Sequence, residues 1–392
     1  VNDPIIGIGA DKFRTKFGRR RTLFALSLPL TALAAFMIFW PPTDVSAFYL
    51  AFWGSILSIG YTAALIPFYA WGAEMASDYQ TRTTIVGWRE ALTLTGTLIA
   101  IALPFTLGTE DAAQFHGLAL LAVFVAIALP LFGFITVWKV PEPVEHSKQT
   151  VELLAGFKYL KDNGPFVRLI AAFFINGLAN GIPATLFLYF VSDYLGAPDM
   201  RGPLLFLYFL CGIAGIPMAN YLTRRTSKRR AWAYGMLAAT IIFAFTPLLS
   251  EGDVLAFAVI SALTGFLVAF DLSIPPAIQA DVIDIDTAQS GEQRSGTYFA
   301  AWSLATKLSL ALAVGFAFPL LGAFGFQPDS DAPQSATALT ALAITYAWVP
   351  ALLKLGAIAL VWNFPLDEAR QRELRRRIER TGSTSETYAA RP

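Results

Sequence analysis

The sequence predicts an all-α membrane protein built from two related helix bundles, and three observations support this fold class. Of its 392 residues, 55% are hydrophobic and 15% charged, and the mean hydropathy is +0.54, which is outside the usual range of soluble domains. Apolar stretches long enough to cross a hydrocarbon core of about 30 Å recur along the chain. Two basic links also recur at a nearly constant separation, which is typical of a duplicated bundle.

Ten complete spans are predicted, because a membrane-crossing helix needs roughly 20 apolar residues. They cover residues 22–40, 45–72, 85–107, 117–138, 166–194, 202–222, 231–249, 254–280, 297–324 and 338–364. Residues 1–10 are predicted to be the end of another span. Since the chain begins with Val1, we expect a piece on the order of 50 residues, with the first span and part of the second, to be missing upstream.

The links between the spans alternate in charge. Arg201 is the only cation on one set of links, whose acids are Asp44, Glu110, Asp111, Asp199, Glu251, Asp253, Asp329 and Asp331. The other set is basic and begins with six cations between Lys12 and Arg21. Because Lys and Arg concentrate in cytoplasmic loops, we predict a multi-pass protein of the inner (plasma) membrane with a cytoplasmic C-terminus.

The basic links define an internal repeat. GADKFRTKFGRRR recurs as NYLTRRTSKRRAW, so that Arg20 corresponds to Arg230, and AEMASDYQTRT recurs as QADVIDIDTAQSGEQRSG, so that Arg82 corresponds to Arg294. The predicted domains are a first bundle (1–138), a central cytoplasmic loop (139–165), a second bundle (166–364) and a charged cytoplasmic tail (365–392). Because these links carry acids and cations, they are predicted to latch the two bundles together in one conformation and release them in another.

Several function classes are disfavoured by what the sequence lacks. His116 and His146 lie far apart and Cys211 is the single cysteine, so neither a metal site nor an internal disulfide is predicted. No nucleophile–base set or phosphate-binding loop is present, which argues against an enzyme. We expect no cofactor and no nucleic-acid partner. We expect a monomer that binds a small solute and contacts membrane lipid.

Ionisable residues inside apolar spans are functional candidates, because an unpartnered charge in hydrocarbon is expensive. Asp3 and Lys307 are predicted to line a solute or ion pathway, the alternative being an interhelical ion pair that fixes packing. Arg89 is equally consistent with a role in the pathway and a role in a gate. Glu90 is expected to point about 100° away from Arg89 and to snorkel or pair with a loop cation.

Two further charges have simpler interpretations. Asp271 precedes Pro275 and Pro276 and is expected to satisfy backbone groups freed by an irregular helix. Lys354 is expected to snorkel or pack, the alternative being a role in the pathway. Among uncharged residues, Asn176 and Asn180 share a helix face, where paired amides bind hydroxyl-rich ligands or join neighbouring helices.

Three segments together resemble one branch of a known superfamily. NDPIIGIGADKFRTKFGRRR, IPFYAWGAEMASDYQTRTTIVGWRE and PPAIQADVIDIDTAQSGEQRSGTYFAAWSLATK resemble segments of the glycoside-pentoside-hexuronide:cation symporters, the branch of the major facilitator superfamily that includes the melibiose permeases. The resemblance implies a major facilitator fold with twelve helices in two six-helix bundles, and transport by alternating access.

The resemblance and the residue patterns together give a predicted site. Cation binding is assigned to Asn2, Asp3 and Thr62. Solute binding is assigned to Tyr69, Arg89, Asn176, Asn180, Trp302, Ser303 and Lys307. The gate is assigned to Asp11, Arg20, Asp78, Arg82, Asp284 and Arg294.

The predicted function is symport of a glycoside, sugar or sugar acid with H⁺ or Na⁺. Leu65 stands where the melibiose permeases have a carboxylate shared by sugar and cation, and this departure favours H⁺ over Na⁺ coupling. Two alternatives stay open at the level of sequence: a transporter of a lysolipid or organic anion, and a membrane sensor that does not transport.

Overall fold

The computed structural model describes residues 2–12, 15–42, 44–76, 78–105, 111–142, 160–290, 294–328, 333–366, 368–374 and 376. Most of the predicted central loop (143–159), the acids Glu110, Asp329 and Asp331, and the tail from residue 377 onward lie outside the described residues.

Every predicted span corresponds to a helix. The helices are α1 (Asn2–Lys12), α2 (Arg19–Phe39), α3 (Ala47–Met75), α4 (Tyr79–Phe105), α5 (Asp111–Lys139), α6 (Gly164–Tyr189), α7 (Arg201–Arg225), α8 (Lys228–Phe243), α9 (Val254–Ser290), α10 (Ser295–Ala323) and α11 (Ala336–Trp362). Within the described residues, ten helices are long and apolar enough to cross a membrane. The predicted all-α membrane class is therefore confirmed.

The end of α9 differs most from its prediction. The span was expected to end at residue 280, yet the helix continues to Ser290 because its terminal acids are not in a solvated link. Asp281, Asp284 and Asp286 are 1%, 4% and 7% exposed, and each contacts a cation inside the protein. Partnered charges allow a helix to stay buried where a hydropathy pattern predicts a loop.

The two halves of the chain, residues 2–142 and 160–366, meet through α1, α3 and α4 on one side and α7, α9 and α10 on the other. We call the end of the bundle that carries the links after α1, α3, α7 and α9 the basic side. At this end α1 and α10 approach closely: a Cβ atom on Gly7 would lie 2.3 Å from Ala300 Cβ and 2.6 Å from the carbonyl oxygen of Gly296.

This close approach predicts the effect of one methyl group. Gly7→Ala is expected to lower the unfolding midpoint of the purified protein, since overpacking a tight contact costs about 1–3 kcal/mol. Gly9→Ala is the matched control, because a Cβ there meets nothing within 4 Å and alanine favours the helix. Thermal unfolding in detergent measures both, and equal midpoints for the two variants would contradict the described contact.

Candidate functional site

A buried carboxylate, a hydroxyl and a lysine join the two halves. Lys307 Nζ lies 2.6 Å from Asp3 Oδ1 and donates to Thr62 Oγ1 at 2.9 Å, and the Thr62 hydroxyl lies 3.3 Å from the same carboxylate oxygen. The three side chains come from α10, α1 and α3. The structure thus brings together two of the three predicted cation-binding residues with the predicted lysine, while Asn2 is half-buried beside Asp3 on α1.

The two partners of this ion pair differ in exposure. The Asp3 side chain is 1% exposed, whereas that of Lys307 is 42% exposed. The second oxygen of Asp3, Oδ2, is buried without a hydrogen-bond partner among the described residues. An unsatisfied buried oxygen is unfavourable, so Oδ2 is an open acceptor position of this carboxylate, and Lys307 is the more exposed partner of the pair.

A second pair lies on α4 and corrects an expectation. Glu90 does not turn toward a loop cation: its Oε1 accepts from Arg89 Nε at 3.0 Å and from Nη2 at 2.8 Å. The Arg89 guanidinium lies 3.9 Å from the centroid of the Tyr69 ring, which meets Phe299 edge to face. The side chains of Arg89 and Glu90 are only 12% and 8% exposed, so burial favours their pairing over separate snorkelling.

A third pair lies within the second half and corrects two expectations. Asp271 bonds side chains rather than freed backbone groups: its Oδ2 accepts from Lys354 Nζ at 2.8 Å and from Asn180 Nδ2 at 3.0 Å, and its Oδ1 accepts from Trp232 Nε1 at 2.8 Å. Lys354 does not snorkel, since it is 8% exposed and also donates to Asn176 Oδ1 at 2.8 Å. The predicted asparagine pair therefore positions an ion pair.

Trp302 and Ser303 face inward on α10. Trp302 is 5% exposed and stacks on Phe173 of α6 with ring centroids 3.6 Å apart. Ser303 is also buried, one turn before Lys307. Both side chains therefore face neighbouring helices, close to Lys307 along α10.

The first ion cluster on the basic side holds a helix terminus across the two halves. Asp11 of α1 accepts from the backbone N–H groups of Gly296 and Thr297, at 2.8 and 2.7 Å, where α10 begins. A carboxylate at a helix N-terminus is stabilised by the unpaired N–H groups and the helix dipole. Arg20 fixes this carboxylate at 2.8 Å and also pairs with Glu74 at 2.6 Å.

The second ion cluster joins the halves through Arg82 of α4. Its Nη1 lies 3.0 Å from Asp281 Oδ1 and 2.7 Å from Asp284 Oδ2, both on α9. Lys228 adds a cation 2.6 Å from Asp281 Oδ2. The repeat pattern predicts that Arg230 corresponds to Arg20, but Arg230 is exposed, and Lys228 is the buried cation at the start of α8.

The remaining predicted gate residues, Asp78 and Arg294, each have at least one bond within their own half. Asp78 caps α4 by accepting from the backbone N–H groups of Gln80 and Thr81, and the bond from Thr81 lowers the pKa of this exposed carboxyl. Arg294 contacts Asp286 at 3.0 Å, at the junction of α9 and α10.

Glu74, Lys228 and Asp281 are cluster members that the sequence reasoning missed. A signal for two of them is present, because Glu74 in GAEM and Asp281 in QADV each follow an alanine near the start of the two repeated segments. In the structure each acid binds the buried cation at the start of the preceding helix: Glu74 of α3 pairs with Arg20 of α2, and Asp281 of α9 pairs with Lys228 of α8.

An all-helical multi-span bundle with paired charges in its interior, and with ion clusters that join its halves at one end, has the architecture of a membrane transporter. The family description "MFS/sugar transport protein" matches residues 1–368, so the chain belongs to this family. This membership confirms the resemblance to the glycoside-pentoside-hexuronide:cation branch, and its members are transporters rather than enzymes.

Relatives match the chain over most of its length. The isoprimeverose transporter of Lactiplantibacillus pentosus is 26% identical over 378 residues, covering 92% of this chain and 77% of the relative. The inner membrane symporter YicJ of Escherichia coli is 25% identical, covering 90% and 77%. The human sodium-dependent lysophosphatidylcholine symporter 1 is 22% identical, covering 97% and 76%.

Solved structures show the same fold at lower identity. A variant of the E. coli fucose:proton symporter FucP has a TM-score of 0.66 at 14% identity, covering 92% of this chain and 88% of that one. A bacterial homologue of the iron transporter ferroportin, in an outward-facing state, has a TM-score of 0.65 at 15% identity, covering 93% and 86%. The chain therefore has the major facilitator fold.

Proposed function

We propose that this protein is a symporter that couples the entry of a glycoside, sugar or sugar acid to entry of a cation, with H⁺ favoured over Na⁺. The observation that carries the proposal is the Asp3–Lys307 pair, which joins the two halves at a buried carboxylate with one unsatisfied oxygen. The isoprimeverose transporter supports the solute class, and the symporter YicJ supports symport.

Coupling follows from competition for Asp3. A proton or Na⁺ that binds this carboxylate neutralises it and removes the attraction that holds Lys307 Nζ at 2.6 Å. Because Lys307 is partly exposed, its ammonium moves into water at little cost, whereas the buried carboxylate stays in place. Loading the cation therefore loosens a contact between the halves at the site where the solute binds.

Alternating access requires that the two basic-side clusters close and open. Both clusters are intact in the described conformation, which is thus closed on the basic side. We assign this side to the cytoplasm, so that the described state takes up solute from outside. Opening breaks the Arg82 contacts and releases Asp11 from the start of α10.

Tyr69, Arg89 and Glu90 provide a surface suited to sugar hydroxyls. An aromatic ring, a planar donor and a carboxylate lie together, and Glu90 neutralises Arg89. Glu90→Gln is expected to raise the affinity ratio of glucuronate to glucose by about tenfold, because Arg89 then keeps an uncompensated charge. Binding measured by competition tests this ratio, with the exposed Glu251→Gln as control, and an unchanged ratio in Glu90→Gln would remove Arg89 from the solute site.

Uptake into proteoliposomes tests the proposed function. The full-length protein is reconstituted, and labelled hexoses, pentoses, uronates and β-glycosides are offered under an imposed H⁺ or Na⁺ gradient. We expect accumulation of at least one of these solutes that stops when the gradient is collapsed. A lysophospholipid is the comparison solute, and accumulation of the lipid alone would replace the sugar assignment with a lipid one.

A further inference from the structure

A cavity of about 400 Å³ penetrates the second half. Side chains from α6, α7, α8, α9 and α11 line it, and Asp271, Lys354 and Asn180 stand at one end. Such a volume is in the range of small-molecule sites. The ion pair at its end is buried and neutral as a pair, with side chains 8% and 10% exposed.

The walls beyond this polar end are mainly apolar. They include the side chains of Phe187, Phe209, Phe243, Phe257, Leu205 and Val268. Hydroxyl side chains also line the cavity, namely Tyr208, Thr240, Ser261, Thr264 and Tyr346, and those of Thr240 and Thr264 already donate to backbone carbonyls. A free sugar bound there would still leave some hydroxyl groups facing the apolar walls without hydrogen bonds, which is unfavourable. An aromatic or aliphatic group bound there would bury its surface at about 25 cal/mol per Å².

The position of the lining residues gives the direction of the cavity. Leu205 and Phe257 lie near the starts of α7 and α9, and Phe187 and Phe243 lie near the ends of α6 and α8. All four helix ends are opposite the basic side. The cavity therefore runs from the Asp271–Lys354 pair away from the closed side, toward the side from which the proposed solute enters.

We propose that this cavity binds the apolar substituent of a glycoside, so that the solute is an aryl or alkyl glycoside rather than a free sugar. The proposal rests on the proposed function and names its solute class. Lys354 and Asn180 supply donors for oxygen atoms near the glycosidic bond, since each has an N–H group beyond those bound to Asp271 or Asn176. The aromatic walls then hold the substituent.

Matched glycosides test the proposal on the purified full-length protein. Methyl and phenyl β-glycosides of glucose, galactose and xylose are compared by competition binding and by the shift in unfolding midpoint. We expect the phenyl member of the accepted pair to bind at least about tenfold more tightly. A naphthyl glycoside extends the series, so that the wild-type protein alone tests how affinity depends on the apolar substituent.

One substitution locates the substituent. Thr264→Trp fills the cavity that Thr264 lines and is expected to lower the phenyl-to-methyl affinity ratio toward one. Leu263→Trp is the matched control, because Leu263 is the exposed neighbour on the same helix and does not line the cavity, and it is expected to keep the wild-type ratio.

The outcomes separate the proposal from the function on which it rests. A phenyl-to-methyl ratio near one in the wild-type protein, or a high ratio that survives Thr264→Trp, would overturn the cavity assignment while sugar transport stands. Tighter binding of a lysophospholipid than of any phenyl glycoside would overturn the glycoside as occupant. Uptake of a free sugar or uronate without binding of any glycoside would overturn the solute class alone. The absence of both glycoside binding and uptake of any hexose, pentose or uronate would overturn the proposed function as well.

Discussion

Replacing Asp3 with asparagine is expected to abolish uphill accumulation of solute while leaving exchange of solute across the membrane intact. The amide keeps the size of the side chain and its position beside Thr62, but it neither carries a proton nor ligates a cation strongly. A potential of about 100 mV is worth about 2.3 kcal/mol per elementary charge, or roughly fifty-fold in concentration for one coupled cation. The ratio of solute concentration inside to outside that the protein sustains should fall by about this factor.

Exchange between labelled and unlabelled solute separates coupling from folding. Asp3→Asn is expected to exchange solute because Lys307, which loses its partner, is 42% exposed and is not left as a fully buried unpaired charge. Asp199→Asn, which changes an exposed acid on the opposite side, is the matched control and should accumulate solute normally. Wild-type accumulation by Asp3→Asn would show that the cation is coupled elsewhere.

Replacing Arg82 with glutamine is expected to open the basic side. Removing one partner from a buried ion pair costs about 3–5 kcal/mol, and Arg82 is 2% exposed between Asp281 and Asp284. These contacts exist only while the halves are closed on this side, so their loss shifts the population toward the open conformation by more than about a hundredfold. Uptake should fall for the same reason.

Distances between spin labels on the two halves measure this shift. With Cys211→Ser removing the single cysteine, labels at exposed Lys12 and Gln289 report the separation of α1 and α9 on the basic side. Arg82→Gln should lengthen this separation, and Arg230→Gln, an exposed cation on the same side, should leave it unchanged. An unaltered distance distribution in Arg82→Gln would remove the second cluster from the gate.

Much of the fold follows from the sequence, because the apolar spans are long and the links alternate in charge. The association of Asp3 with Lys307 could also be expected, since charges in an apolar span must find partners or water. Both residues lie far from other charges within their spans. Each could therefore be identified as a candidate without knowing which face of its helix points inward.

The other pairings depend on facts that a linear pattern does not contain. Glu90 meets Arg89 because the Arg89 guanidinium, which lies over the Tyr69 ring, also reaches Glu90 Oε1, although neighbouring helical positions point about 100° apart. Lys354 meets Asp271 only because α9 and α11 place them at the same depth. Among the adjacent cations Lys228, Arg229 and Arg230, the rotation of α8 about its axis decides which side chain is buried. The sequence does not indicate this rotation, because all three side chains carry the same charge.

Direct measurement of cation movement tests the coupling claim most closely. In proteoliposomes containing the wild-type protein, with equal cation concentrations on both sides, addition of a transported glycoside outside should drive H⁺ or Na⁺ inward, as read by an internal pH or sodium indicator. The account predicts a cation signal that rises with glycoside uptake and disappears in Asp3→Asn. Glycoside uptake at the wild-type rate without any movement of H⁺ or Na⁺ would contradict it.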